Sequence, residues 1–586
     1  MDNVAIARVL EEVADVLEIQ DANPFRIRAY RNAVRTVETQ TVPLERLVAE
    51  GAPLTRLAGI GKEMESHIRE MVTTGTLAYR DELLAAVPRS LLTLMRLPGV
   101  GPKKAKRLFD ELGVGSVDEL EEAAKAGRVA TLPGFGAKSQ TKILAGIAEY
   151  RQHAGRTLLA EAERHVEPLL AYLRQAPGIE RLEVAGSYRR RLETIGDVDL
   201  LATASEPGPV MERFLHYPQV DQVLMSGGTR SSITLGSGLQ VDLRVVPPEC
   251  YGAALLYFTG AKEHNVKLRR RAVERGLRIS EYGVFRLPPG TAETGAEAPR
   301  QEAGERLAGR EEEDVYAAVG LSFIPPELRE DHGEIEAAAS GKLPRLIELA
   351  DLRGDLQMHS TWSDGRNTLE EMVTACAARG YEYMAITDHS KALAMVQGLD
   401  AARLREQWKE IDEIRARHPE IRLLRSMEID ILADGSLDLE EEMLAGLDLV
   451  VVSIHSRFEL PAAEQTARVL AALRHPEVDV LAHPTGRLIN RRKPIELDVE
   501  AVLAEAARRG VAVELNASPD RLDLKDVHLR LARELGVRIV ISTDAHRTSE
   551  LDNLRRGVEQ ARRAGLVAGD VLNTLPLDRF LEAIRR

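Results

Sequence analysis

The chain has 586 residues, 44% hydrophobic and only 4% aromatic, with a formal charge of −14 at pH 7. That length exceeds a single core and implies about three or four domains, and the charge excludes a uniformly basic nucleic-acid coat while leaving room for local basic patches. Two cysteines, Cys250 and Cys376, exclude a disulfide framework or thiolate metal cluster, and no signal-peptide pattern or membrane-length apolar run is present, so a cytoplasmic protein with no membrane partner is expected.

Residues 1–150 read as short helices punctuated by a recurring hairpin. Its three copies are Leu57-Ala58-Gly59-Ile60-Gly61-Lys62, Leu97-Pro98-Gly99-Val100-Gly101-Pro102-Lys103 and Leu132-Pro133-Gly134-Phe135-Gly136-Ala137-Lys138. They precede helical stretches from Met64 to Val72, Ala105 to Leu112 and Thr141 to Ile147. The glycines permit a tight turn whose backbone N–H groups point outward at a helix N-terminus, where phosphate is favoured. One copy is an ordinary turn between packed helices; three imply a surface that grips nucleic-acid backbone without reading sequence. The second copy, beside Lys103, Lys104, Lys106 and Arg107, is the most pronounced.

Between 151 and 250, helix and strand alternate. A strand is expected to carry Gly186-Ser187-Tyr188-Arg189-Arg190, then Gly196-Asp197-Val198-Asp199-Leu200-Leu201; a second carries Val241-Asp242-Leu243. Alternation puts Asp197 and Asp199 on one face with Val198 and Leu200 in a core. A lone Asp-x-Asp is as often a solvated strand end. A third aspartate on a separate apolar strand changes that balance, because three gathered carboxylates require cations. Hard oxygen ligands favour Mg²⁺, and two such ions suit phosphoryl transfer. Gly186 allows close approach of a phosphate, Ser187 can donate to it and Arg190 can pair with it.

Residues 251–330 open with Tyr257-Phe258-Thr259-Gly260 and a basic helix from Val266 to Arg275. The Gly/Pro/Glu/Ala-rich stretch from Leu287 to Glu313 reads as a flexible excursion, and Asp331 to Leu343 as a polar connector.

Taken in order after the hairpins, Gly-Ser-x-Arg-Arg, Gly-Asp-Val-Asp-Leu-Leu, Val-Asp-Leu-Arg and Tyr257-Phe258-Thr259-Gly260-Ala261-Lys262-Glu263-His264-Asn265 resemble a family X DNA polymerase over residues 1–330. The resemblance implies a DNA-end-binding domain (1–85), fingers (86–150), a nucleotidyltransferase palm (151–250) and a thumb (251–330). It makes Asp197, Asp199 and Asp242 the catalytic metal ligands, with Asp242 helping to deprotonate the primer 3′-hydroxyl. Gly186, Ser187, Arg190 and Gly196 would hold the triphosphate. Tyr257, Phe258 and Gly260 would pack on the sugar and disfavour a 2′-hydroxyl, and Asn265 would reach the minor-groove edge of the base. Arg269 would contact the template, and Gly59, Gly61, Gly99, Gly101, Lys103, Gly134 and Gly136 the DNA backbone. Two positions depart. Arg191 stands where a glycine is common, either as a further phosphate contact or as an exposed side chain. His67 occupies the position of the Schiff-base lysine in members with deoxyribose-phosphate lyase activity; an imidazole cannot form the imine, so that activity is not expected, although Lys62 lies nearby.

From Asp351 onward strand and helix alternate regularly, which implies parallel strands with right-handed crossovers. Polar residues fall at the C-terminal ends of the strands, where barrel active sites lie. They are Gln357, His359, Asp364, His389, Glu428, His455, His483, Asp544 and His546, and five of the chain's 14 histidines are among them. A lone histidine at a strand end is usually structural; recurrence at nearly every strand, mixed with carboxylates, points to a multinuclear Mn²⁺ or Zn²⁺ site. Asp355-Leu356-Gln357-Met358-His359, Thr387-Asp388-His389, Ser453-Ile454-His455, Ala482-His483-Pro484 and Asp544-Ala545-His546 are similar to the polymerase-and-histidinol-phosphatase (PHP) family. That resemblance implies a distorted (β/α)₇ barrel over 351–575, after a linker at 331–350, with up to three ions and phosphoesterase activity. Gln357 replaces the first histidine of the family's His-x-His.

The reading is therefore a multidomain α/β enzyme: helical helix-hairpin-helix domains, an α+β palm and thumb, and a PHP barrel. It is expected to be a monomer that fills short gaps in primed DNA from deoxynucleoside triphosphates and trims 3′ ends by Mn²⁺- or Zn²⁺-dependent 3′–5′ exonuclease activity, with abasic-site or 3′-phosphate cleavage also open. The alternatives are a DNA-end-binding polymerase with a degenerate barrel, and a small-molecule nucleotidyltransferase fused to a histidinol-phosphatase-like hydrolase.

Overall fold

A computed structural model of the protein describes residues 3–584 except 21, 40–43, 50, 58, 86–90, 92, 93, 96, 98, 99, 133, 154, 155, 287–303, 394 and 395. It divides into two compact units, Met1–Ala154 and Gly155–Arg586.

The first unit is helical and has two cores. In one, Ile6, Leu10 and Leu17 of helix Asn3–Ile19 meet Tyr30 and Val37 of helix Pro24–Thr39 and Met64, Ile68 and Met71 of helix Lys62–Thr74. The other gathers Val100, Leu108, Leu120, Phe135 and Ile143. The three hairpins share two features. The apolar residue between the glycines, Ile60, Val100 or Phe135, is buried. Its N–H donates to the carbonyl three residues back at Leu57, Leu97 or Leu132, at 3.1, 3.0 and 3.0 Å. Each turn thus anchors its apolar tip in a core and leaves the described flanking glycines, Gly59, Gly61, Gly101, Gly134 and Gly136, exposed. Gly59 and Gly134 take φ of +80°, which a side chain would oppose. Helix Ala137–His153 is longer than the Thr141–Ile147 stretch expected from periodicity.

The second unit begins with strand β1 (Thr157–Leu158), antiparallel to β3 (Thr194–Ile195). A five-stranded sheet follows from β2 (Ile179–Val184), β4 (Asp197–Ala204), β5 (Val220–Met225), β6 (Arg230–Leu235) and β7 (Gln240–Val245), in the order β2-β4-β7-β6-β5. Only β4 and β7 run parallel, and their register pairs Asp199 with Asp242. Val198, Leu200, Val241 and Leu243 bury against Val166 and Leu169 of helix Leu159–Leu173, as the period of two demands. The expectation that Gly186–Arg190 is strand is corrected: Gly186–Arg189 is a single helical turn between β2 and β3, entered by Gly186 at φ +63°.

Next come helices Tyr251–Thr259 and Lys262–Val273, then β8 (Leu277–Ser280), β9 (Gly283–Arg286) and β10 (Arg306–Ala308) in an antiparallel sheet, and helix Glu312–Ala318. Of the expected excursion from Leu287 to Glu313, residues 287–303 lie outside the described residues; 306–308 is strand and helix starts at Glu312. The polar connector is also more ordered than its composition suggests. Helix Glu334–Ala339 buries Ile335 and Ala338, spaced i and i+3, beside Leu256, Val315 and Tyr316.

The remainder is a seven-stranded parallel sheet with strands in sequence order: β11 (Gly354–Asp355), β12 (Tyr383–Ile386), β13 (Arg422–Asp430), β14 (Leu449–Ser453), β15 (Val480–Leu481), β16 (Ala512–Asn516) and β17 (Ile539–Ser542). The backbone beyond β17 returns to that beyond β11. His359 N–H donates to Ala545 O at 2.8 Å, and Asp544 N–H to Gln357 O at 3.0 Å. These bonds close the sheet on itself, the (β/α)₇ barrel expected. Strands such as Leu449–Ser453 and Ile539–Ser542 are buried throughout, which is why they read as continuous apolar runs. No helix among the described residues is long and apolar enough to cross a membrane.

Candidate active sites

The palm site forms where β4 and β7 lie side by side. Asp197 is exposed, Asp199 half-buried and Asp242 buried. Burial, then Asp197 and Asp242, push the Asp199 carboxyl up to about 6, a rise that Arg244 and Arg230 only partly offset. Arg230 Nη2 lies 3.6 Å from Asp242, and Gln240 Nε2 donates to Asp242 at 3.2 Å. Gly186 sits against Asp199: a Cβ there would meet Oδ2 at 3.1 Å. Ser187, in the same turn, and Gly196, at the start of β4, are both partly exposed.

Arg190 is engaged rather than free. It donates to Glu330 at 3.0 Å and to Thr259 O, and a Cβ on Gly260 would meet its Nη1 at 3.0 Å. Arg189 holds Glu312 through two bonds, at 2.9 and 2.7 Å. Arg191 is neither exposed nor aimed at a phosphate: it pairs with Glu163 at 2.9 Å and with Glu559 at 3.6 Å. Its φ of +59° explains why a glycine serves well at this position. Tyr257 and Phe258 meet edge to face, 5.2 Å apart, and Arg269 lies over Tyr257 at 6.0 Å. Asn265 Nδ2 donates to Tyr257 O at 2.8 Å, leaving its buried Oδ1 without a partner.

In the first unit, Gly61, Gly101 and Gly136 enter helices with open space where a Cβ would stand, and Lys103 is 84% exposed at the second entrance. Gly99 lies outside the described residues. His67 is packed into a ring stack with Tyr30 and Tyr79, centroids 6.1 and 5.4 Å away, with its Nδ1 3.1 Å from the Tyr30 hydroxyl. Burial holds its pKa below that of an ordinary histidine.

The barrel mouth is tighter. Three groups of ligand-type residues each bring their atoms within 4.8 Å of one another: His359, Asp364, His389 and His546; His389, Glu428 and His455; and His359, Glu428 and Asp544. The groups overlap, so Glu428 sits between His389, His455 and His483 at 3.3, 3.4 and 2.8 Å. Those three imidazoles overcome the upward push of burial and hold Glu428 well below the ordinary carboxylate range. His359 Nε2 lies 3.1 Å from Asp544, and His546 Nε2 3.3 Å from Asp364.

Gln357 is 1% exposed, and neither its Oε1 nor its Nε2 makes a hydrogen bond; nor do His359 Nδ1, Glu428 Oε2 and His483 Nδ1, although Glu428 Oε2 lies 3.3 Å from His389 Nδ1. Buried polar atoms are rarely left so. Orphaned imidazole nitrogens and a carboxylate oxygen converging on one mouth fit metal ions.

Several residues around these ligands carried little or no sequence signal. Asp388, in the Thr-Asp-His motif, accepts from Ser360, Ser363 and Gln407 and fixes the loop that carries Asp364. Asp430, two residues after Glu428 and so on the same strand face, lies 3.3 Å from His455 Nδ1. Glu514 accepts from His483 N–H and Ser542, and burial pushes its carboxyl up to about 8. Arg521, in the loop after β16, reaches Asp544 at 3.4 Å.

Comparison with known proteins identifies the domains and the family. Family models match a helix-hairpin-helix domain at residues 1–77, a SAM-like helix-hairpin-helix tandem at 91–149, a DNA polymerase beta thumb at 254–330 and a PHP domain at 355–518. A Bacillus subtilis relative named DNA polymerase/3′-5′ exonuclease PolX is 41% identical over 574 residues, covering 98% of this chain and 97% of the relative. The chain belongs to the PolX family. Parts of this PolX chain also match proteins of other kinds. A probable phosphatase of Acetivibrio thermocellus is 32% identical over 228 residues, 38% of this chain and 89% of that protein. Rat DNA polymerase lambda is 25% identical over 351 residues, 56% of each chain.

Proposed function

We propose that this PolX chain adds deoxynucleotides to primed or gapped DNA at the aspartate site and removes them 3′–5′ at the barrel mouth. The observation that carries the reading is the presence, in one chain, of two separate carboxylate sites with different partners. Asp199 and Asp242 face each other across parallel strands with only oxygen ligands, whereas Glu428, Asp364 and Asp544 are interleaved with imidazoles. Oxygen-only donors suit Mg²⁺, and mixed imidazole–carboxylate donors suit Mn²⁺ or Zn²⁺.

In the palm, Asp197, Asp199 and Asp242 would hold two Mg²⁺ ions, which supply charge neutralisation for the attacking oxygen and the leaving phosphates. Ser187, Gly186 and Arg190 would bind the triphosphate, for which Arg190 must exchange Glu330 for phosphate oxygens. Tyr257 and Phe258 would pack on the sugar above Gly260, and the unpartnered Asn265 Oδ1 is an acceptor for a base-edge donor. Arg269 would follow the template strand, and the glycine-flanked hairpins would hold the DNA backbone.

In the barrel, Gln357, His359, Asp364, His389, Glu428, His455, His483, Asp544 and His546 would hold up to three Mn²⁺ or Zn²⁺ ions, which supply Lewis acidity and an ionised water at neutral pH. Both activities act on a 3′ terminus, so joining them raises the local concentration of one site's product at the other.

Paired single variants test this. Asp199→Ala is expected to abolish nucleotide addition on gapped DNA and leave Mn²⁺-dependent nuclease activity in place; Asp544→Ala is expected to do the reverse. Loss of a metal ligand should cost at least the roughly 10–100-fold typical of residues that merely orient ligands. A variant that removes both activities together overturns the two-site reading.

A further inference from the structure

The arginine assigned above to the triphosphate is tied to the barrel as well as to the palm. Its partner Glu330 closes the thumb segment, and the same carboxylate is gripped from the barrel side. Glu330 Oε1 accepts from Arg190 Nε at 3.0 Å and from Arg563 Nη1 at 3.1 Å, so two guanidinium groups share one oxygen. The side chains of Arg190, Glu330 and Arg563 are 13, 16 and 6% exposed, which limits screening of these contacts by water and salt. Arg563 ends helix Leu554–Arg563, and further bonds fix its position. Its Nη1 also donates to Arg190 O at 2.7 Å, and its Nη2 to Asp526 at 2.9 Å.

The segment that carries Glu330 is held on several sides. Arg329 is fully buried, donating to Glu312 at 2.6 Å and to Ile324 O at 2.9 Å. In the turn Pro326–Leu328, Glu327 accepts from Arg562 of the same barrel helix at 2.7 Å. The segment also meets the loop at Gly260: Ala261 N–H donates to Arg329 O at 2.9 Å. Arg190 Nη1 donates to Thr259 O, and a Cβ on Gly260 would meet that nitrogen at 3.0 Å. Arg190 thus stands between a carbonyl and a carboxylate, both on anchored backbone. A guanidinium edge engaged by a carboxylate is withheld from phosphate oxygens, so an incoming triphosphate meets a competitor already in place.

We propose that Glu330 sets the affinity of the triphosphate subsite: it occupies Arg190 while no nucleotide is bound, and Arg563 of the barrel keeps hold of the carboxylate when phosphate oxygens displace it. This rests on the polymerase reading above, and it makes Glu330 and Arg563 positioning residues that act through Arg190. The shared oxygen makes neutral substitutions at the two positions act in opposite directions. With Glu330 neutral, Arg190 is released from its ion pair and triphosphate binds more tightly. With Arg563 neutral, displacing Glu330 leaves a largely shielded carboxylate without a counter-charge, so Arg190 is harder to free and triphosphate binds less tightly. The effect falls on the dissociation constant, which scales inversely with the fraction of molecules whose Arg190 is available. A residue that merely braced Arg190 would weaken binding in both variants.

The test is titration calorimetry with inorganic tripolyphosphate in Mg²⁺, on the full-length wild type, Glu330→Gln, Arg563→Gln, the double variant and Arg190→Ala, with steady-state gap filling in parallel. Glu330→Gln should tighten tripolyphosphate binding by roughly three- to ten-fold and lower the KM for deoxynucleotide by a similar factor, more than it changes kcat. Arg563→Gln should weaken binding. The double variant should return to the affinity of Glu330→Gln, because no carboxylate is left to strand. Binding by Glu330→Gln that equals or falls below wild type overturns the proposal. A double variant as weak as Arg563→Gln also overturns it, since Arg563 would then act by another route than Glu330. Arg190→Ala should lose most of the tripolyphosphate affinity; wild-type binding there would instead overturn the assignment of Arg190 to the triphosphate, on which the proposal rests.

Discussion

At the scale of single residues, Gln357 shows how one substitution changes a site without dismantling it. Its amide is 1% exposed, yet both polar atoms lack hydrogen bonds, while the eight other ligand-type residues of the mouth are in place. An amide oxygen is a weaker donor to a transition metal than imidazole nitrogen. Gln357→His should therefore raise the number of tightly held Mn²⁺ or Zn²⁺ ions per chain after dialysis, read by elemental analysis. Equal metal content in the two proteins would exclude Gln357 as the weak point. Arg191 teaches a different lesson. The sequence left it between phosphate contact and exposed side chain, and the structure gives it to Glu163 and Glu559. Nothing within several residues of Arg191 encodes partners 28 and 368 positions away.

At the scale of elements, the hairpins and the strand pair were legible because their information is local. Gly-apolar-Gly fixes a turn, the apolar tip needs a core, and a helix follows; all of that lies within ten residues of chain. Glu65 and Gln140 even repeat one device: four residues after the second glycine of their hairpins, each side chain accepts from the N–H six residues before that glycine, at Thr55 and Ala130. The Gly-Ser turn was misread as strand because its apolar flanks, Val184 and Tyr188, are buried on a helical turn as readily as on a strand. The exposed Lys103 at the second hairpin carries the element's prediction. Lys103→Glu should weaken binding to gapped DNA and lower the slope of log Kd against log salt by about one, as expected for one lost phosphate contact. Fluorescence anisotropy across a salt series checks it, and an unchanged slope would remove this hairpin from the interface.

At the scale of the molecule, the palm and thumb are bound to the barrel by ion pairs that are buried on at least one side or largely shielded. Glu163 receives Arg191, Arg555 and Arg556 at 2.9, 2.7 and 2.8 Å. Arg487 grips Glu193 through two bonds, at 3.2 and 2.7 Å, and Arg562 meets Glu327 at 2.7 Å. Arg563 reaches Glu330, which Arg190 shares, and Asp526. Removing the buried Glu163 leaves its arginines without their shared counter-charge, a loss discounted by the partial exposure of Arg191 and Arg555. Glu163→Ala strands three guanidinium groups on one surface. It should lower the melting temperature and admit protease between residues 331 and 350, while each isolated chemical activity is retained. Wild-type melting in that variant would show that the ion pairs do not hold the parts together.

By itself the amino-acid order determined the parts list: three glycine-flanked turns at helix entrances, an aspartate pair on a half-buried strand with a third aspartate elsewhere, and metal-type residues after nearly every strand of a repeating βα pattern. Helical and strand periods and turn chemistry are short-range, and so can be read along the chain. Folding in three dimensions decided what is long-range: closure that sets His359 against Asp544 across 185 positions, the arginines that clasp Glu163, and the pairing of Arg521 with Asp544. Those contacts depend on how whole elements pack, and no repeat in the sequence encodes that distance.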